Sequence, residues 1–236
     1  MSARDEILAR VREALGAGSV QGSRPVGALV QGSPSVGSDR QEVTPERAPE
    51  PSAYRTPYRT ESEMDEDGLV ELLVDRLEDY KARVEVVARG ELAGAIRKRL
   101  DGKRFVVPHG FPTEWLHPAL ADRAVTDSRE APIAVERLDA LDAVVTSSAV
   151  SIAETGTIVL DGSPDQGRRA ISLVPDHHVC VVPVETIAGI VPEGFARLDV
   201  TRPLTLISGP SATSDIELER VEGVHGPRML DVIIAR

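Results

Sequence analysis

Three stretches, "DAVVTSS" (Asp142–Ser148), "HHVCVVPVE" (His177–Glu185) and "MLDVIIA" (Met229–Ala235), are apolar at consecutive positions, not at alternate ones. Successive side chains of a strand point to opposite faces, so a strand wetted on one face alternates apolar and polar residues. A strand apolar throughout must be covered on both faces. Such strands belong to a mostly parallel sheet buried between two other layers. The preceding residues supply part of the cover. "DGLVELLVDRLEDYKAR" sets Leu69, Leu72, Leu73 and Leu77 on one helical face, and "GELAGAIRKRL" does the same with Leu92, Ala95, Ile96 and Leu100. Strands are expected between and after them, at Val84–Ala88 and Arg104–Pro108. This alternation implies βαβ units and predicts an α/β fold, a three-layer open, mostly parallel sheet. "PTEWLHPAL" is expected to be helical up to the residue before Pro118. "GTIVLDG" (Gly156–Gly162) and "LTLISGP" (Leu204–Pro210) read as further strands. Little helical pattern lies between 156 and 185, which predicts some antiparallel pairing there.

That domain is expected over residues 65–236. Residues 1–64 read differently. "SARDEILARVREALG" is a short amphipathic helix by spacing, with Ile7, Leu8, Val11 and Leu15 on its stripe, Ser2 as N-cap, Asp5 in the capping-box position and Gly16 as stop. So short a helix must dock its stripe, either on its own domain or on a partner. Residues 16–63 are rich in Gly, Pro and Ser and lose apolar periodicity, as a linker does. Tyr-Arg-Thr occurs twice near its end, at Tyr54–Thr56 and Tyr58–Thr60.

Charge excludes some partners. The net charge is −11, with 38 acidic against 27 basic residues. Binding a nucleic-acid duplex requires clustered Lys and Arg to replace phosphate counterions, and docking on anionic lipid requires the same excess. Neither is expected, although net charge does not report distribution. The single cysteine, Cys180, allows no intramolecular disulfide. Without a Cys-x-x-Cys pair, this chain alone has no iron–sulfur cluster held by four thiolates and no thiolate zinc site. No window reaches about 18 consecutive apolar residues, so no membrane span is expected and the expected location is cytoplasmic.

Open α/β sheets place ligands at strand ends, and three polar stretches fall there. The first is "TSSAVSIAETGT", where Glu154 serves as base or nucleophile if desolvated, or else as a cap for backbone donors, beside Thr155, Gly156 and Thr157. The second is "SGPSATSDIELE", in which Ser208, Gly209 and Ser211 line a turn and Asp215 could N-cap a helix starting at Ile216. Either it binds an anion or it is a capped turn. It is not a phosphate-binding P-loop, because the Gly-Lys-Ser/Thr ending is absent. The third is "GVHGPR", where Gly226 permits a tight turn, His225 offers an imidazole for proton transfer, and Arg228 offers a planar fork for a carboxylate or phosphate. "HHVC" resembles a metal site, but strand alternation separates His177 and His178 onto opposite faces. Arg168 and Arg169 form an anion contact or a solvated turn, and His109 follows a strand closely enough to reach a pocket.

"SIAETGTIVL", "HHVCVV", "IVPEG", "LISGPSATSDIE" and "GVHGPR", in this order, resemble the lactate utilization protein C family, the LUD-domain proteins. The match covers roughly residues 65–236. The resemblance implies a fold like the sugar-phosphate isomerase and CoA-transferase superfamily. It also implies a place in the oxidation of L-lactate to pyruvate, alongside two other lactate-utilization proteins, at least one of them an iron–sulfur protein. Carried over by motif, the residues are Glu154, Thr155, Gly156, Thr157, Ser208, Gly209, Ser211, Asp215, His225, Gly226 and Arg228, whose chemical role the resemblance does not assign. From the residues themselves, the three loops are expected to converge on one pocket for a small carboxylate or phosphate, with Glu154 and His225 as the candidate proton-transfer pair. The redox cofactor stays unknown. Two rivals stay open. One is a non-catalytic assembly protein. The other is a stand-alone acyl-CoA transferase, since Glu154-Thr155-Gly156 resembles the Glu-x-Gly nucleophile motif of some enzymes of that fold.

Overall fold

The structure, a computed structural model, describes residues 59–213, 221–222 and 225–236. The amphipathic stripe of residues 2–16 and nearly all of the linker lie outside the described residues, as does Asp215. In chain order the elements are α1 (Glu66–Asp79), β1 (Arg83–Val87), α2 (Leu92–Arg99), β2 (Phe105–Pro108), β3 (Ala124–Asp127), α3 (Val135–Asp139) and β4 (Ala143–Ser147). There follow β5 (Val150–Ile152), β6 (Thr157–Leu160), α4 (Arg169–Leu173), β7 (His177–Pro183), β8 (Ile187–Ala188) and α5 (Val191–Ala196). The series ends with β9 (Thr205–Ile207), β10 (Ala212–Thr213), β11 (Val221–Glu222) and β12 (Met229–Ala235). Asp65 caps α1 by accepting from the Gly68 amide at 2.9 Å.

Six strands form one parallel sheet in the order β1-β12-β7-β4-β2-β3. Its central strands are buried on both faces, which explains their unbroken apolar runs. On β12, Ile233 and Ala235 face α2 together with Val179 and Val181 of β7. Val232 and Ile234 face the other way, with Cys180 and Val182, onto α1 and β6. Further along the same face, Val106 and Val144 pack with Leu138 of α3 and Ile171 of α4. The second covering layer is therefore partly a sheet. It has the order β8-β5-β6-β9, antiparallel between β5 and β6 and between β6 and β9. "GTIVLDG" and "LTLISGP" belong to this smaller sheet. β10 and β11 pair antiparallel as a separate ribbon.

The segment read as a helix before Pro118 is instead two short 3-10 turns, Thr113–Trp115 and Pro118–Arg123. Leu116 and His117 between them are extended, as a residue preceding proline prefers. No helix of the described residues is long and apolar enough to cross a membrane.

One polar cluster interrupts the sheet. Asp231 on β12 and His177 on β7 are both fully buried, and His177 Nε2 donates to Asp231 Oδ2 at 2.6 Å. Lys103 Nζ donates to His177 Nδ1 at 2.7 Å, and Arg83 Nη2 to Asp231 Oδ2 at 2.8 Å. Burial alone would push the Asp231 carboxyl up. The His177 hydrogen bond and the charges of Arg83 and Arg99 outweigh it and hold the carboxyl below the usual range. An unpaired charge there would be expensive, so the cluster fixes the register of β12 against β7.

Ile233 is 0% exposed at the middle of this sheet. Ile233→Ala should lose roughly 2–5 kcal/mol of unfolding free energy in a urea titration. A loss below about 1 kcal/mol would show that the central strand is not packed on both faces.

Candidate functional site

β9 delivers the chain to Ser208, and the turn that follows depends on glycine. Gly209 has φ +126°, and a Cβ there would stand 2.8 Å from the Tyr80 Cβ at the end of α1. The Glu154–Gly156 turn meets the same helix end. Gly156 has φ +60°, and its Cβ would lie 2.7 Å from the Arg76 Cβ. A chain of hydroxyls joins the two turns: Thr155 Oγ1 donates to Thr157 Oγ1 at 2.8 Å, and Thr157 Oγ1 shares a 2.9 Å hydrogen bond with Ser208 Oγ.

The His225–Pro227 loop closes on the serine loop through two further bonds. The Ser211 amide donates to Pro227 O at 2.8 Å, and the His225 amide donates to Ser211 Oγ at 3.2 Å. Together they bound a hollow of about 450 Å³ that Arg169, His178, Ser208, Ser211, His225 and Gly226 help to line. The structure thus gathers Ser208, Gly209, Ser211, His225 and Gly226 into one place, with Thr157 one hydrogen bond behind. The hollow lies where the chain enters β7 and β12, the second residues of which, His178 and Leu230, face it. That is the amino end of these strands, not the carboxyl end at which open sheets usually bind ligands.

Arg169 enters this wall from α4. Its Nε donates to Thr205 Oγ1 at 3.2 Å and its Nη2 to Leu204 O at 3.0 Å. Nη1 has no partner among the described residues. His178 forms part of the floor, 1% exposed, with Nε2 2.8 Å from Thr146 Oγ1. Burial first, and the neighbouring His177 second, push its imidazole down to about 3, so it is neutral at pH 7. The hydroxyls, a fixed guanidinium and a neutral imidazole suit a small anion that carries its own hydroxyl or ester oxygen.

Two expected members stand elsewhere. The Glu154 amide donates to Gly189 O, and its carboxylate accepts from Arg59 Nη2 at 2.7 Å with the side chain 44% exposed. It lines a different hollow, with Arg59, Ser62 and Leu72. Glu154 and His225 therefore do not face a common cavity. Arg228 does not line the serine hollow either. Its Nε and Nη2 donate to the two Asp176 oxygens at 2.7 and 2.6 Å, and that bond leads the effects holding the Asp176 carboxyl below its ordinary range. The planar fork is used, but on an internal carboxylate.

"HHVC" is also resolved. His177 faces Lys103 and Asp231, whereas His178 faces Thr146 on the opposite side. The Cys180 thiol, fully buried, is pushed up to about 12 by that burial, which leaves it protonated and a poor metal ligand. Sequence reasoning noted His109 and Arg168 but missed Asp127, Arg129 and Arg202, which surround a second hollow with them. One signal was available: Asp127 ends a strand, where the fold places polar residues for use.

The neutral state of His178 makes stability depend on pH. Its folded value lies below the 6.5 of the free side chain, so the unfolded chain takes up a proton that the folded chain refuses. This contribution is complete above about pH 6.5 and is lost as pH falls toward about 3. Between about pH 7.5 and pH 5 it should remove about 2 kcal/mol from the unfolding free energy. His178→Gln should remove that part of the pH dependence, read as urea midpoints at the two pH values. Identical slopes in both proteins would show that His178 does not carry it.

Comparison with known proteins places these features in a family. The LUD domain family model matches residues 70–235. A protein from Deinococcus radiodurans named lactate utilization protein C is 46% identical over 183 residues, which cover 75% of this chain and 84% of that one. A Bacillus velezensis protein of the same name is 28% identical over 195 residues, covering 74% and 80%. The crystal structure of a DUF162 family protein from Deinococcus radiodurans superposes with a TM-score of 0.63 at 42% identity, covering 73% of this chain and 99% of that one.

Proposed function

The chain belongs to the LUD domain family, and from that premise we propose that it serves lactate utilization. In this reading it is one cytoplasmic subunit of a three-component system oxidising L-lactate to pyruvate. The other two subunits are separate lactate-utilization proteins, at least one of which holds iron–sulfur clusters. The single observation that supports a ligand on this chain is the convergence of the Ser208–Ser211 and His225–Pro227 loops around the Arg169 hollow. Arg169 Nη1 and the serine hydroxyls would hold a carboxylate or phosphate, with hydrogen bonds strengthened by the charge. His225, at the exposed rim, would exchange a proton with the ligand hydroxyl. Electrons would leave through a partner, since the one cysteine here cannot ligate a four-thiolate iron–sulfur cluster.

A non-catalytic assembly role is the second reading. The exposure of Glu154 and Arg228, each held in a surface ion pair, favours it. Acyl transfer through Glu154 has less support, because a carboxylate 44% exposed and paired with Arg59 is not the desolvated nucleophile that chemistry needs.

The test is lactate-dependent electron transfer in the reconstituted three-protein system, with a pull-down of the partners in parallel. Omitting this chain should abolish transfer. His225→Gln should lower it at least about tenfold, near 1.4 kcal/mol of barrier, with partner capture intact. Loss of capture by the same variant would move the conclusion to assembly. Full transfer without the chain would overturn both readings.

A further inference from the structure

A second hollow, of about 350 Å³, opens at the carboxyl ends of β2 and β3. The connection leaving β2 runs to β3 on one side, and the chain leaving β4 proceeds toward β7 on the other. Neighbouring strands whose connections diverge leave a crevice beyond their carboxyl ends, the usual ligand position in open α/β sheets. Here residues 161–168 lie across that crevice, between β2 and β4, and the hollow opens beside them at the ends of β2 and β3. The Gly110 amide, just past β2, donates to Pro164 O at 3.1 Å, and the Ser147 amide at the end of β4 donates to Asp165 O at 3.1 Å. The loop is internally braced, with the Gly167 amide donating to Ser163 O at 2.8 Å and the Asp161 amide to Gln166 Oε1 at 2.7 Å.

Three arginines surround this loop, each held by a different acceptor. Arg168 is clamped by Asp127, 2% exposed, through Nε at 2.9 Å and Nη2 at 2.8 Å. Arg202 Nη1 donates to Asp161 Oδ2 at 2.7 Å. Arg129 Nη2 donates only to Gly162 O, at 3.0 Å. Nη1 of Arg168, Nε and Nη1 of Arg129, and Nε and Nη2 of Arg202 have no protein acceptor among the described residues. The same three arginines also line an adjoining hollow of about 250 Å³, where Arg169 is a fourth and Asp161 the one carboxylate. In a chain of net charge −11, the two hollows together set four guanidiniums against Asp127, Glu130 and Asp161, a local excess of positive charge. Asp127 accounts structurally for Arg168 and Asp161 for Arg202. Among the described residues no carboxylate hydrogen-bonds Arg129, although the charge of neighbouring Glu130 acts on it through space. Glu130 stands at the same hollow but is exposed.

We propose that this arginine rim is a phosphate-binding site, distinct from the serine hollow and independent of the lactate reading, and that its ligand is a small phosphorylated molecule. The phosphate would sit among Arg129, Arg168 and Arg202, and the organic body would occupy the hollow beside His109. A carboxylate has two oxygens to offer, whereas a terminal phosphate has three and can engage three guanidinium forks at once.

The test titrates the full chain with inorganic phosphate, glycerol phosphate and acetate, followed by calorimetry and phosphorus NMR. Saturable binding of phosphate or glycerol phosphate is expected, with acetate at least about tenfold weaker. Tighter glycerol phosphate than phosphate identifies an ester ligand, and the reverse order identifies free phosphate. Arg129→Gln should weaken binding by about tenfold or more, and Arg129→Lys, which keeps the charge without the fork, should fall between. His225→Gln, at the other hollow, should leave phosphate binding unchanged. Arg129 makes one described hydrogen bond, so its variants are expected to fold, and an unchanged melting temperature verifies this. No saturation by tens of millimolar phosphate, wild-type affinity in Arg129→Gln, or equal acetate binding would overturn the proposal. So would an equal loss in His225→Gln, which would place the phosphate in the serine hollow instead.

Discussion

β12 joins the two parts of the main sheet, with β1 hydrogen-bonded along one side and β7 along the other. It also contributes to both apolar layers, through Ile233 on the α2 side and Val232 on the α1 side. A shift of one residue would exchange these two sets and drive Asp231 away from His177 into the apolar layer under α1. The buried ion cluster is thus a registration device as much as a bond. The candidate site depends on it, because Leu230 and the approach to β12 form one wall of the serine hollow.

The two hollows are neighbours. Arg169, Ser172 and Thr205 line the serine hollow and also the space bounded by the arginine rim. α4 and β9 therefore carry a continuous run of polar groups from the amino end of β7 toward the carboxyl ends of β2 and β3. One end presents hydroxyls, a neutral imidazole and one guanidinium. The other presents several guanidiniums, two of them fixed by the buried Asp127 and the half-buried Asp161. The two proposed ligands would therefore occupy adjacent but separate spaces.

The main sheet was legible because burial on both faces leaves a direct trace: an unbroken apolar run, as at Val179–Val182. The helices were legible from spacing, as with Leu92, Ala95, Ile96 and Leu100. Strand order was not, since Arg83 and Asp231, 148 residues apart, become register partners with no local signature. β6 is as apolar as β4 yet belongs to the smaller sheet, because composition reports how much of a strand is covered and not by what. The serine and histidine loops were found because glycine, proline and hydroxyl residues cluster locally. Of the arginine rim only Arg168, Arg169 and His109 were legible; the rest escaped because Asp127 and Arg168 are 41 residues apart, and Arg129 and Arg202 stand in stretches that read as ordinary surface. Glu154 and Arg228 were misplaced for a related reason. A motif identifies a side chain, but only the partners brought by the fold, Arg59 and Asp176, decide where it points.

Gly156 and Gly209 both abut the final turn of α1, one against Arg76 and the other against Tyr80. The helix end acts as a shared wedge between two surfaces that otherwise face different solvent. Neither turn can drift inward, and a bulkier residue at either glycine would have to lift the wedge itself. The surface bearing Glu154 and the rim bearing Ser208 are for that reason mechanically one body, and a partner that seized the first would be gripping the frame of the second.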